Sequence, residues 1–277
     1  MNITKERTLF VVVFTGIISL LLLLYLAPLS LKEKLVMNYR EFSFSNFHDW
    51  IRLYTLHFVH MDFWHLLGNL FTFILIFPVV YLLSEAGMST DAFKRFLGFL
   101  FLVIPPMMSI LDLLVMRRYN LRYGMGFSGI DSALLGAFPY FSSLVLQERF
   151  KLKISPMMFS NSFILIVGGL ISLIYSIFLV AVPLILGGVL LLMYTVSKAL
   201  KESEIQHSQQ KKAIWNFILA IVIMMVGGSI GAFPRTLVGN SGLVNIFVHY
   251  LGFASTLYGF PLLEEVFKNR KKLKANP

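Results

Sequence analysis

The chain has 277 residues, of which 57% are hydrophobic and 14% charged, with a mean hydropathy of +0.76. Soluble domains carry about 25% charged residues, and a soluble core of this length has no room for so much apolar surface, so lipid must cover much of it. The net charge of +10 does not call for a nucleic-acid partner, since basic residues that flank membrane helices and face anionic headgroups account for it, and the absence of cysteine excludes disulfide and thiol chemistry.

A spanning helix needs roughly 20 apolar residues. Hydropathy predicts spans at about Leu9–Leu29, Phe63–Leu83, Phe96–Met116, Phe127–Leu146, Asn161–Leu179, Val182–Val196, Ile214–Phe233 and Asn245–Phe267. The first run is too long for the apolar core of a cleaved signal peptide and lacks a small-residue cleavage site, so it reads as a retained signal anchor. The segment Ser30–Asp62 mixes charges with Phe42, Phe44, Phe47 and Trp50, aromatics that settle at a membrane interface. Pro105 and Pro106 predict a kink in the third span. The stretch from Ser162 to Val196 is long for one span and short for two, and Pro183 predicts the break. Glu85 and Asp112, near span ends, are expected at the interface. With the N-terminus inside, sixteen of the 24 lysines and arginines fall on inner segments and eight, Arg235 among them, on outer ones. That bias puts both termini in the cytoplasm and calls for an even number of spans. The predicted fold class is an all-α polytopic membrane protein, one transmembrane domain over 1–277 with about eight helices.

Three polar clusters share one depth in this topology. The second span opens on His60-Met-Asp-Phe-Trp-His65-Leu-Leu-Gly-Asn69, in which His65 and Asn69, four apart, lie on one helix face. The fourth opens on Gly126-Phe-Ser128-Gly129, and the last carries His249 near its start, then Gly252. At about 1.5 Å per residue, Ser128, His249, His65 and Asn69 lie roughly 2–10 Å from the outer ends of their helices. A serine hydroxyl is a poor nucleophile until a base takes its proton, and His249 is a suitable base. A tetrahedral intermediate needs donors for its oxyanion, which the Asn69 amide, the His65 imidazole and the Ser128 N–H at a helix N-terminus can supply. Glycines at 126 and 129 permit close approach. His60 and His65, five apart, would sit some ~140° apart on a helix, a poor chelating pair, so no metal and no other cofactor is expected.

The HxxxxHxxxN run, the GxSG at the head of a span and the histidine followed three residues later by glycine in the last span resemble the signature of the rhomboid intramembrane serine proteases. They stand in that family's order over roughly Trp50–Leu146 and Asn245–Phe267. Arg52 falls where the family often has an arginine in its first outer loop. The resemblance implies a rhomboid-like core at about 50–146 and 245–267, with additional helices at 1–30 and within 161–233. It implies a Ser128–His249 dyad without a catalytic acid and oxyanion stabilisation by His65 and Asn69. It makes His60, Gly126, Gly129 and Gly252 supporting residues. The implied partners are transmembrane protein substrates, cleaved near the outer face, and membrane lipid.

The chain departs from that pattern in three ways. Ser128 and His249 are 121 positions apart, with about three spans between them where the compact family form has one, so two helices are inserted. The family often has an aromatic four residues after the serine, and here that position is Ser132. Asp131 lies within one turn of the serine and has no assigned role. Each motif also has a plainer reading. Ser128, Ser132 and Gly136, like Gly129, Ala133 and Ala137, form small-residue stripes of the kind that pack helices. Two other functions fit the same residues: a weak or silent rhomboid-like protein that binds transmembrane helices, and a transporter relaying protons through buried histidines. Transport would call for inverted repeats, and none is evident.

Overall fold

The computed structural model describes residues 3–205, 207–233, 238–239, 242–243 and 246–275, with side chains for 7–205, 207–233, 246–267 and 269. Arg235, counted above among the outer basic residues, and Asn245, the first residue of the last predicted span, lie outside the described residues. Among the described residues the regular structure is helical apart from a short antiparallel ribbon, Val238–Gly239 with Gly242–Leu243, and one isolated bridge between Asn38 and Tyr123. In order come α1 (Ile3–Leu26), α2 (Leu29–Leu35), α3 (Phe47–Thr55), α4 (Phe63–Gly87), α5 (Thr90–Gly98), α6 (Ile104–Arg118), α7 (Ser128–Glu148), α8 (Pro156–Ile174), α9 (Phe178–Glu202), α10 (Ser208–Ala232), α11 (Ile246–Ala254) and α12 (Phe260–Ala275). A π turn, Phe99–Val103, joins α5 to α6, and another, Ser255–Gly259, joins α11 to α12. Among the described residues eight helices are long and apolar enough to cross a membrane, as in a multi-pass integral membrane protein.

Local chemistry explains where these helices begin and end. Asn46 caps α3 by accepting the His48 N–H, and Ser155 caps α8 ahead of a proline in its first turn. The expected kink at Pro105–Pro106 takes the form of the π turn just before them. Neither proline has an N–H to return to the carbonyls of Phe101 and Leu102, and the helix widens there. The break between the fifth and sixth spans is not at Pro183, which lies inside α9. It falls at Tyr175–Ile177, where Ser176 adopts φ 61°. Ser176 N–H donates to the Leu173 carbonyl and Ile177 N–H to the Ser172 carbonyl, a Schellman closure with serine where glycine is usual. Asn120 and Glu204, also at positive φ, end α6 and α9 in the same way.

The chain divides into two compact units. The first comprises Met1–Val79, Leu97–Ala133 and Thr236–Gly252. In it, Met37, Tyr39, Phe42, Leu53 and Leu56 pack on Leu113 and Met116 of α6. Asp112 is not interfacial: it is fully buried and accepts the Tyr39 hydroxyl at 2.7 Å, because the 36–42 segment folds over it. Arg117 donates to the carbonyls of Tyr39 and Phe42, and Arg52 donates to the Lys34 carbonyl and pairs with Asp49. The 30–62 segment is thereby tied to α6, while Phe44, Phe47 and Trp50 stay exposed. Phe10 and Phe14 of α1 stack on Phe73 and Phe77 of α4.

The second unit comprises Val80–Phe96, Leu134–Arg235 and Phe253–Pro277. Its Arg95 forms a two-pronged ion pair with buried Glu264, at 2.6 and 2.8 Å, beside the rings of Phe96, Phe141 and Phe260. The three-residue link at 175–177 returns α9 along α8. The two approach closely at Gly169, where a Cβ would stand 2.9 Å from the Ala181 carbonyl oxygen and from the Ile185 nitrogen. Gly187 has nothing within 4 Å of such a Cβ. Gly169→Leu is therefore expected to destabilise the protein by about 1–3 kcal/mol through overpacking. Gly187→Leu should melt like the wild type, and thermal unfolding of both in detergent makes the comparison.

Candidate active site

Every candidate site residue lies in the first unit. The Phe127 carbonyl accepts from Ile130 and Asp131, so Ser128 is the first residue of α7 and its N–H has no acceptor within the helix. Gly126 precedes it with φ 121°, a conformation that side chains resist, and its N–H donates to the Leu56 carbonyl at 3.1 Å. One turn into α7, Gly129 and Ala133 face Gly252 of α11. A Cβ on Gly252 would lie inside contact distance of the Gly129 carbonyl oxygen, and one on Gly129 would stand 2.6 Å from a Val248 methyl. The small-residue stripe is therefore a helix contact, as its plainer reading holds, and it seats α11 against α7 one turn from His249.

That seating brings His249 Nε2 to 2.7 Å from the Ser128 hydroxyl oxygen, across 121 residues of chain. His249 is 7% exposed, whereas Ser128 is only half-buried, so the hydroxyl is reachable and the base is shielded. The contact suits a general base and a nucleophile provided that the hydroxyl donates and Nε2 accepts.

His65 and Asn69 face the same place. Asp62 accepts the His65 N–H at 2.8 Å, which starts α4 and sets the rotation of its first turns. A Cβ on Gly126 would stand 2.6 Å from His65 Cε1, 2.9 Å from His65 Nε2 and 3.6 Å from Asn69 Nδ2. The space that Gly126 leaves open is therefore bordered by an imidazole nitrogen and an amide nitrogen, two residues before the serine.

His60 is placed differently from expectation. It precedes α4 instead of lying on it, so the ~140° helical separation from His65 does not apply. The two rings meet edge to face with centroids 5.1 Å apart. No group of three or more metal-ligating side chains occurs among the described residues. His60 Nε2 is 2.7 Å from Asn69 Nδ2 and 3.3 Å from the Phe127 backbone nitrogen. Burial, with the nearby His65 and Lys32 adding to it and the Phe58 backbone opposing, pushes the His60 imidazole down to about 3, and it is neutral at physiological pH.

A second serine–histidine contact escaped the sequence analysis. His57 Nε2 lies 2.8 Å from the Ser109 hydroxyl oxygen, with both residues buried. Proton directions separate it from the first pair. Ser109 donates to the Leu53 carbonyl at 2.6 Å, and His57 Nε2 also lies 2.9 Å from the Pro105 carbonyl, which can only accept. His57 Nε2 therefore carries a proton and cannot take one, so this pair clamps the 53–57 segment to α6. No spacing rule marks it, because its partners are 52 positions apart on elements that meet only in the folded chain. Asp131 is buried with neither carboxyl oxygen hydrogen-bonded, and the Ser132 hydroxyl, also buried, has no partner.

No protein-family model matches the chain, and neither curated proteins nor solved structures contain a match. The geometry of the chain itself carries the functional argument.

The buried histidine clamp has a consequence for acid stability. Burial lowers His57 from its ordinary 6.5 to about 4, with the Pro105 carbonyl opposing. Between these values the unfolded chain binds a proton that the folded chain refuses, so stability falls as pH drops from 6.5 to 4 and is level above 6.5. The expected loss from this group is up to about 3 kcal/mol. His57→Gln removes that titration while keeping a donor for Pro105. Its melting temperature should fall less than that of the wild type between pH 7 and pH 4.5, and equal slopes would show that His57 does not govern acid stability.

Proposed function

We propose that this protein is an intramembrane serine endopeptidase of the rhomboid type, hydrolysing peptide bonds in transmembrane-helix substrates near the outer membrane face. The observation that carries the reading is the 2.7 Å contact between His249 Nε2 and the Ser128 hydroxyl, made by helices far apart in sequence. The ordered motifs support it, as does the pair of nitrogens bordering the space at Gly126.

In this mechanism Ser128 attacks the scissile carbonyl carbon while His249 Nε2 takes the hydroxyl proton. The developing oxyanion receives hydrogen bonds from the Asn69 amide, the His65 imidazole and the Ser128 N–H at the positive end of α7. His249 then passes its proton to the leaving amine. Water, deprotonated by the same histidine, hydrolyses the acyl-enzyme. No step calls for a metal or an organic cofactor. The half-buried Ser128 and His65 give water and substrate a route to the dyad.

Purified protein with a fluorogenic transmembrane substrate provides the test. Ser128→Ala and His249→Ala should lose turnover and fluorophosphonate labelling while still folding. Asn69→Ala should lose about 100- to 1000-fold in kcat, roughly 2.7–4 kcal/mol, with KM little changed. Robust cleavage by Ser128→Ala would remove the assignment. A folded wild type that binds transmembrane helices without cleaving or labelling would instead be a helix-binding protein.

The proposed orientation, with both termini in the cytoplasm, has its own check in this cysteine-free chain. A cysteine at Asn120 should react with an impermeant thiol reagent added outside intact cells, and one at Lys153 should not. The opposite result would put the serine end of α7 on the wrong face.

A further inference from the structure

Phe127 offers His60 a backbone N–H, a group that can only donate. That donor assigns the lone pair to His60 Nε2 and the imidazole proton to Nδ1, which is buried without a hydrogen-bond partner. The same lone pair faces the Asn69 carboxamide at 2.7 Å. Only the NH2 end of that carboxamide is compatible with an acceptor, so the tautomer of His60 decides which way Asn69 points. An Nε2–H tautomer would draw the Asn69 oxygen inward and swing the amide nitrogen away from the space at Gly126.

From this we infer that His60 is a positioning residue for the proposed peptidase: its Nε2 lone pair aims the Asn69 amide at the oxyanion and ties that amide to the start of the helix that carries Ser128. The inference rests on the reading of Ser128, His249 and Asn69 given above. His60 is 0% exposed, so it acts through Asn69 and Phe127 and not on substrate. Asn69 Nδ2 carries two hydrogens; His60 takes one and fixes the plane of the group, and the other is left for the oxyanion. Because Phe127 immediately precedes Ser128, one imidazole nitrogen couples an oxyanion donor to the nucleophile's helix. The neutral state needed for this persists through the working range, since burial keeps the ring from protonating until about pH 3.

The test measures kcat, KM and melting temperature for four variants of the full chain: His60→Leu, His60→Gln, Asn69→Ala and the His60→Leu/Asn69→Ala double variant. His60→Leu should lose roughly 10- to 100-fold in kcat, less than removal of an oxyanion donor outright, with KM within about twofold. His60→Gln, whose side-chain oxygen accepts, should recover most of the loss. In the Asn69→Ala background His60→Leu should cost less than about threefold further, because the group it aims is gone. Full multiplication of the two losses, or an unchanged kcat in His60→Leu, would overturn the inference while leaving the peptidase reading intact. Activity in Ser128→Ala would overturn that reading itself. If His60→Leu does not fold, 15N spectra of the histidine-labelled wild type decide, with the His60 signal assigned from its loss in His60→Gln. A bare Nε2 from pH 5 to 8 supports the inference, and a protonated Nε2 overturns it.

Discussion

Gly252 has no side chain where one would run into the carbonyl oxygen of Gly129. This absence lets α11 approach the first turn of α7 backbone to backbone. The contact is built from Gly129 and Ala133 on one helix and Gly252 on the other, residues whose value lies in what they lack. His249 stands three residues before Gly252 and Ser128 one before Gly129, so docking the glycines sets the separation of the two reactive groups. A methyl group at Gly252 would push the helices apart and open the hydrogen bond between imidazole and hydroxyl. The Ser128–His249 contact and helix packing are thus one feature of the chain, and the small-residue stripe and the GxSG motif do not compete as explanations.

The same unit of the fold holds three histidines in hydrogen bonds that give each ring a distinct task. His57 presents a proton at Nε2 to the Pro105 carbonyl and the Ser109 oxygen, a closed arrangement with no capacity to accept. His60 presents a lone pair at Nε2 to two donors. His249 presents Nε2 to a hydroxyl that is itself half-exposed. Burial keeps His57 and His60 neutral, and a neutral imidazole has one donor and one acceptor whose placement the neighbours choose. Backbone groups make that choice in two of the three cases, which is why serine–histidine proximity alone does not identify a dyad.

Ser128 and His249 meet although three membrane-length helices lie between them in the chain. The described chain has eight spanning-length helices, and α8, α9 and α10 separate α7 from α11. With an odd number of spans between them, α7 and α11 enter the membrane from the same side, which the Ser128–His249 contact requires. The turn between α8 and α9 makes the count even, and it is closed by Ser176 at positive φ. Three helix ends use this closure with asparagine, serine or glutamate instead of glycine, so each accepts some backbone strain for a sharp stop.

By itself the sequence determined the apolar character of the chain, the number of membrane-length helices and the identity of the two residues, Ser128 and His249, that meet. Eighteen or more apolar residues in a row have few places to go but lipid, and polar side chains near the ends of such runs stand out against that background. Ser128, His249, His65 and Asn69 were legible because each is an expensive residue at one shared depth, and depth follows from helical rise alone. The break at 175–177 was not legible, since propensity points to Pro183 and nothing local marks Ser176 for a left-handed conformation. Nor were the burial of Asp112, the clamp between His57 and Ser109, or the bond from His60 to Asn69 and Phe127. These join positions nine to 73 residues apart through segments without periodic pattern. Only the folded chain decides which carbonyl, amide or hydroxyl faces each imidazole, and therefore which nitrogen carries the proton. A histidine's role is set by that choice, and the choice belongs to its neighbours in space.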